Sequence, residues 1–166
     1  MDQMMADIAS MGGELFVMDD GWFGDKYPRK NDSSSLGDWV VDKNKLPDGV
    51  KGLLSDAKKR GIKFGIWIEP EMANTTSELY EQHPDWVLKA PERDLVLGRG
   101  GTQVVLDLAN PAVQDFVFGV VDNLMTSYPE IDYIKWDANM AVMNHGSQYL
   151  TKENQSHMYI CLLYTS

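Results

Sequence analysis

The chain has 166 residues, 43% of them hydrophobic and 24% charged, which predicts one globular domain. Five Trp, seven Tyr and five Phe exclude an intrinsically disordered chain, because these side chains supply ample apolar surface to bury. The net charge of -10 disfavours nucleic-acid binding, and the single cysteine excludes both a disulfide framework and a cysteine-rich zinc site.

The first 60 residues predict a helix, a short strand, a long loop and a second helix. Methionines recur at helical spacing up to Met11, and two glycines end that helix. The apolar run at residues 15–18 predicts a buried parallel strand. Residues 22–49 predict a polar loop with several aromatic side chains, and a loop longer than about 12–15 residues is usually functional or disordered. A helix over residues 50–60 follows, with Gly61 just beyond its carboxyl end.

The rest of the chain continues the alternation of strand and helix. Residues 63–68 predict a second buried strand, and residues 76–83 predict a short helix that ends before a proline. A short extended run at residues 104–106 precedes a long helix with Asn110 as its amino-terminal cap. Residues 133–136 predict the last strand. This order predicts an α/β fold with parallel strands.

Acidic residues follow three of the predicted strands. Asp19 and Asp20 follow the first strand, Glu69 follows the second, and Asp137 follows the last. Because parallel strands point the same way, we expect these side chains at one edge of the sheet, where α/β enzymes place their active sites. Carboxylates beside tryptophans are typical of a carbohydrate site, whereas oxygen ligands also suit magnesium or calcium. Acids that merely cap the following helices remain a third interpretation.

Lys135 and Asp137 lie two residues apart on the last predicted strand, so their side chains project to the same side. A neighbouring cation lowers the pKa of a carboxyl and keeps it ionised, as the nucleophile of a glycosidase must be. The same pair is equally compatible with a structural ion pair at a strand end.

Seven motifs, taken together, resemble the bacterial α-galactosidases of glycoside hydrolase family 36. In chain order they read LFVMDDGWFG, LGDW, KLPDGVKGL, GIKFGIWIEPEM, SELYEQHPDW, VVLDLANPAV and YIKWDAN. The resemblance runs from about residue 8 to residue 160.

This resemblance implies a partial (β/α)8 barrel of about three to four βα units. It also implies a retaining, double-displacement hydrolysis of terminal α-galactosyl groups from oligosaccharides such as melibiose and raffinose. Asp137 matches the family's nucleophile, and Asp19 and Asp20 match the pair that binds the galactose hydroxyls at C4 and C6. Further positions match residues that contact the sugar: Trp67, Arg99, Lys135 and Asn139. Glu69, like Glu71, is expected to shape the neighbouring loops.

The chain also departs from the pattern of the family. A (β/α)8 barrel usually needs about 250 residues, and the family's acid/base aspartate lies downstream of the KWD motif, beyond the end of this sequence. We therefore expect residues 1–160 to be a partial catalytic domain that is inactive by itself, with residues 161–166 a non-native tail. A raffinose-type synthase, an α-N-acetylgalactosaminidase and a non-catalytic sugar-binding fragment are the alternatives.

The expected partner is an α-galactoside oligosaccharide, with no nucleic acid and no membrane, and the mechanism requires no metal or organic cofactor. The sequence has no signal-peptide pattern, which points to the cytoplasm. Relatives of this kind often form homo-oligomers, and the same is expected of the whole enzyme.

Overall fold

A computed structural model describes residues 1–139, 142 and 145–155. The helices and strands that the sequence predicts follow one another in the predicted order, and the structure adds one short strand directly after the second predicted strand. The helices are α1 (Asp2–Ser10), α2 (Gly49–Lys59), α3 (Glu78–Gln82) and α4 (Pro111–Ser127), with 3-10 turns at Pro84–Trp86 and Lys152–Asn154. The strands are β1 (Leu15–Met18), β2 (Lys63–Ile68), β3 (Met72–Asn74), β4 (Gln103–Val105) and β5 (Tyr133–Trp136).

The predicted parallel sheet is confirmed. Its strand order is β1-β2-β5, with Phe16 opposite Phe64 and Ile66 opposite Ile134. The connections between these strands run through α2 and through α4, as parallel pairing requires. The sheet therefore brings the carboxyl ends of β1, β2 and β5 to one edge.

Local sequence signals account for the helix boundaries. The Asn110 side chain accepts a hydrogen bond from the Ala112 N–H at 3.0 Å and so caps α4. Gly61 has a φ of +69° beyond the end of α2, a conformation that glycine adopts without the steric cost of a side chain. Both assignments agree with the sequence predictions.

The core lies on both faces of the sheet, and β2 is its most deeply buried strand. Five of the six β2 residues are buried, which matches the continuous apolar run expected of a central parallel strand. Gly65 lies in the middle of β2, where an added Cβ would meet the Tyr133 carbonyl oxygen at 3.0 Å. This close approach of β5 explains why a glycine stands inside a strand whose other residues are mostly large and apolar.

The extended run at residues 104–106 is not a fourth strand of the parallel sheet. Gln103–Val105 forms β4, which pairs antiparallel with β3 in a separate two-stranded sheet. The sequence analysis missed β3, because three buried residues are too few to show a strand periodicity. Among the described residues the parallel sheet thus has three strands, the smaller of the three to four βα units expected from the sequence.

The long loop after β1 folds over the carboxyl edge of the sheet. Phe23 and Val41 form an isolated antiparallel bridge within it, and the Ser35 N–H donates to the Thr76 carbonyl at 2.9 Å. Trp22, Phe23 and Leu36 are fully buried. The aromatic residues of this loop therefore anchor it, and the loop is part of the core.

Two expectations concern other parts of the chain. The predicted non-native tail, residues 161–166, lies outside the described residues. Within the part that the structure covers, no helix is both long enough and apolar enough to span a bilayer.

Candidate active site

Carboxylates from three strands meet at the carboxyl edge of the parallel sheet, as predicted. Asp19 and Asp20 follow β1, Glu69 follows β2, and Asp137 follows β5. The Asp137 N–H donates to the Ile68 carbonyl at 2.8 Å, so the β5 end stays paired with β2 up to the carboxylate. The backbone hydrogen bonds of the sheet thus fix the position from which Asp137 projects.

Asp137 is held in its ionised form by hydrogen bonds. The Trp67 Nε1–H donates to its Oδ2 at 3.0 Å, and the Ala138 N–H donates to its Oδ1 at 3.1 Å. The Trp67 hydrogen bond is the largest cause that lowers the pKa of Asp137, followed by one from the Asn139 side chain, and the charge of Lys135 adds a smaller effect. The sequence predicted the lowered pKa, but its main cause is the indole and not the lysine.

Lys135 makes its direct contact with another acid of the site. Its Nζ lies 3.1 Å from the Oδ2 of Asp19, whose Oδ1 accepts the Asp20 N–H at 2.9 Å. Both side chains of the pair are well exposed, at 42% for the lysine and 68% for the aspartate. Solvent-exposed ion pairs contribute little to stability, so this pair is open to a ligand and adds little to the fold.

Trp67 is buried, although the sequence analysis expected it to stack on a sugar. Its exposure is 3%, its ring lies parallel to that of Phe23 at 6.2 Å, and Trp39 packs against it at 6.1 Å. The indole presents its N–H edge to Asp137. Sugar stacking by Trp67 stays a prediction, while its contacts make it a hydrogen-bond donor to the carboxylate.

Glu69 fixes the loop that carries Asp137 and Asn139. Its side chain is 1% exposed, and its Oε1 accepts the Asn139 N–H at 2.8 Å. Burial is the largest cause that raises the pKa of Glu69, and hydrogen bonds from Asn139 oppose it. This contact agrees with the loop-shaping role expected of Glu69, and it sets Asn139 beside the Asp137 carboxylate.

Asp20 and Arg99 contact two residues that the sequence analysis did not single out. Asp20 pairs with Arg29 at 2.7 Å, and Arg99 pairs with Asp32 at 2.9 Å. Arg29 and Asp32 belong to the long loop after β1, and no motif spacing marks them. The unusual length of that loop and its aromatic content were the only signals that it contributes to the site.

Parallel βα units with acids at the carboxyl edge define an α/β protein whose site lies at the strand ends. The sequence model of the melibiase family matches residues 1–166. The chain belongs to the melibiase family.

Curated relatives and solved structures agree with this assignment. AgaA, an α-galactosidase of Geobacillus stearothermophilus, is 44% identical over 159 residues, covering 94% of this chain and 21% of that protein. The probable α-galactosidase C of Aspergillus oryzae is 43% identical over 169 residues, covering 98% of this chain and 21% of its own. The chain thus spans about a fifth of the length of these relatives.

The structural neighbours include α-galactosidases of family GH36. The crystal structure of AgaA superposes with a TM-score of 0.89 at 41% identity, covering 99% of this chain and 22% of that chain. The α-galactosidase of Lactobacillus brevis superposes with a TM-score of 0.87 at 41% identity, covering 98% and 22%. Structures of two doubly substituted variants of AgaA hold raffinose and stachyose, respectively.

The Trp67–Asp137 hydrogen bond predicts a change in the dependence of activity on pH. Trp67→Phe keeps a buried aromatic ring and removes the donor, so the pKa of Asp137 rises and the carboxylate becomes protonated at a higher pH. The acidic limb of the curve of kcat/KM against pH is therefore expected to move to higher pH. The activity at the optimum is expected to fall roughly 10- to 100-fold, as for loss of a hydrogen bond to a charged group. Activity is measured in a hybrid enzyme in which this chain replaces the aligned segment of AgaA.

Trp136→Phe is the matched control for this substitution. Trp136 also donates its Nε1–H to a carboxylate, the Oε1 of Glu71 at 3.0 Å, but it is 46% exposed. The control is expected to leave the acidic limb where it is. An unchanged limb in Trp67→Phe would show that the indole does not set the ionisation of Asp137.

Proposed function

We propose that the chain is the nucleophile-bearing part of a retaining α-galactosidase, folded as part of a (β/α)8 barrel. The observation that carries the proposal is the hydrogen bond from the Trp67 Nε1–H to Asp137, at the same sheet edge as Asp19 and Lys135. This bond lowers the pKa of Asp137 and so favours its ionised form. An ionised carboxylate beside groups that bind hydroxyls is the chemistry that glycoside hydrolysis needs. Membership of the melibiase family supports the choice of an α-galactoside.

In the proposed reaction an oxygen of Asp137 attacks the anomeric carbon of the galactosyl ring. The bond from that carbon to the glycosidic oxygen breaks, and a second carboxyl group donates a proton to the departing oxygen. That second group lies about 5–5.5 Å away in retaining enzymes, and it then deprotonates the water that hydrolyses the galactosyl ester. The family places it downstream of the KWD motif, outside the residues described.

The other residues of the site are proposed to bind the galactosyl ring. Asp19 and Asp20 accept hydrogen bonds from the hydroxyls at C4 and C6, and charge-assisted bonds of this kind are stronger than neutral ones. Lys135, Arg99 and Asn139 are proposed to donate hydrogen bonds to the sugar. Solved structures of AgaA variants hold raffinose or stachyose, so oligosaccharides with a terminal α-galactosyl group are the proposed substrates.

A hybrid enzyme tests this proposal. The segment of AgaA that aligns with this chain over 159 residues is replaced by the corresponding residues of this chain, so that AgaA supplies the rest of the enzyme. The hybrid is expected to hydrolyse an aryl α-galactoside and to release galactose from raffinose. The 166-residue chain alone is expected to show no turnover.

Three results would each contradict the proposal. The first is a folded hybrid that does not hydrolyse the aryl α-galactoside. The second is preferential turnover of an aryl α-N-acetylgalactosaminide, which would favour that alternative activity. The third is transfer of galactose to an acceptor sugar that outpaces release of free galactose, which would favour a synthase.

A further inference from the structure

Arg29 is a buried cation in the long loop between β1 and α2. Its side chain is 2% exposed, and a buried charge is costly unless it is paired and fully hydrogen-bonded. Its Nη1 donates to the Ser34 carbonyl at 2.9 Å and to the Asn74 Oδ1 at 3.0 Å. Asn74 is itself fully buried. The protein therefore holds this guanidinium in a single position.

The remaining donors of Arg29 fix the carboxylate of Asp20. Nε donates to Oδ1 at 3.0 Å and Nη2 donates to Oδ2 at 2.7 Å, a two-point contact that sets the plane of the carboxylate. A carboxylate has about four acceptor positions, so two remain for other donors. The Asp20 side chain is 30% exposed, and those positions are accessible to a ligand.

A second acid extends this network to Arg99. The Oδ1 of Asp32 lies 3.4 Å from the Nη2 of Arg29, and the Oδ2 of Asp32 accepts a hydrogen bond from the Arg99 Nη1–H at 2.9 Å. The Asp32 carbonyl accepts hydrogen bonds from the side chains of Asn74 and Gln103, at 2.8 Å and 3.1 Å. Both of those residues are fully buried. The backbone of Asp32 is thereby anchored, while its carboxylate bridges two arginines.

From these contacts we infer that Arg29 is a positioning residue that sets Asp20, and through Asp32 also Arg99, for recognition of the sugar hydroxyls. This inference rests on the proposed function. A carboxylate that rotates freely can accept hydrogen bonds from an axial or an equatorial hydroxyl. A carboxylate whose plane is fixed by two bonds fits one of the two orientations better, because misplacement by about 1 Å already weakens such a site strongly. Arg29 is thus a determinant of the choice between galactosides and glucosides.

The test compares Arg29→Lys with the unchanged hybrid enzyme. Lysine keeps the positive charge but cannot form the two-point contact. The ratio of kcat/KM for an aryl α-galactoside to that for an aryl α-glucoside is expected to fall roughly tenfold or more. KM is expected to rise more than kcat falls. The affinity for 1-deoxygalactonojirimycin, which a singly substituted variant of AgaA binds in a solved structure, is expected to weaken by a similar factor.

Lys26→Arg is the matched control. Lys26 lies in the same loop and pairs with Glu81, but its side chain is 52% exposed. This substitution is expected to leave both the ratio and the inhibitor affinity unchanged. Asp32→Asn is a second variant that spares the core, since the Asp32 side chain is 60% exposed. It keeps the Arg29–Asp20 pair and loosens Arg99, so KM is expected to rise roughly threefold, in line with an exposed charge pair.

A double-mutant cycle separates positioning from a purely structural role. If Arg29 acts through Asp20, then adding Arg29→Lys to Asp20→Asn is expected to change the galactoside to glucoside ratio much less than Arg29→Lys does alone. Equal loss of activity toward both sugars, with additive effects in the cycle, would overturn the inference. An unmodified hybrid without α-galactosidase activity would instead reject the proposed function, so the two failures are distinguishable.

Discussion

Asp137→Ala is expected to lower kcat of the hybrid enzyme toward an aryl α-galactoside on the order of 10⁴-fold or more, the scale seen when a catalytic nucleophile is removed. The reason is that Asp137 is the proposed nucleophile, and alanine has no group that could form the proposed covalent galactosyl intermediate. Asp137 is partly exposed at the end of β5, so its replacement is expected to leave the fold intact. The rate of aryl alcohol release measures the loss, and circular dichroism verifies the fold.

An added nucleophile gives this prediction a stereochemical readout. Azide fits the space left by the carboxylate and attacks the anomeric carbon from the side that Asp137 occupied. Azide is therefore expected to restore part of the activity of Asp137→Ala and to yield the β-galactosyl azide. Formation of the α-galactosyl azide would show that Asp137 is not the nucleophile. Full activity of Asp137→Ala without azide would show the same.

Asp25→Ala is the matched control for this substitution. Asp25 is an exposed acid in the loop after β1, and its loss is expected to change kcat less than twofold, as for a surface substitution. A large effect at Asp25 would mean that activity in the hybrid responds to the net charge and not to one carboxylate.

Trp22→Ala is expected to have the largest effect on stability, a loss of about 3–5 kcal/mol in the free energy of unfolding. Trp22 is fully buried and packs against Phe23 and Trp39, with ring centroids at 5.3 Å and 6.0 Å. Its Nε1–H also donates to the Trp67 carbonyl at 2.9 Å. The substitution thus removes both a core ring and a bond that holds the strand end carrying Trp67.

Urea denaturation of the 166-residue chain, followed by tryptophan fluorescence, measures this effect. Trp22→Phe keeps most of the packing and loses the hydrogen bond, so it is expected to cost about 1–2 kcal/mol. Phe118→Ala removes an aromatic ring that is 70% exposed on α4 and is expected to change stability by less than about 0.5 kcal/mol. Equal losses for Trp22→Ala and Phe118→Ala would show that the loop aromatics are not part of the core.

Much of the fold was predictable from short stretches of sequence. The apolar run of β2, the cap at Asn110 and the glycine after α2 each act within a few residues, so the sequence alone places these boundaries. The pairing of β4 was not predictable in this way. Its partner β3 lies about 30 residues earlier and comprises three residues, and no periodicity distinguishes it from a loop.

The sequence by itself determined the family, the acids at the strand ends and the order of the helices and of the three parallel strands. It did so because buried strands, caps and motifs are local patterns. The tertiary structure decided which groups hold those acids. The Trp67 N–H reaches Asp137 across 70 positions, and Lys135 reaches Asp19 across 116. Arg29 reaches Asp20 only because the loop folds back over the sheet. Such contacts depend on how the strands and the loop pack together, and no spacing along the chain encodes them.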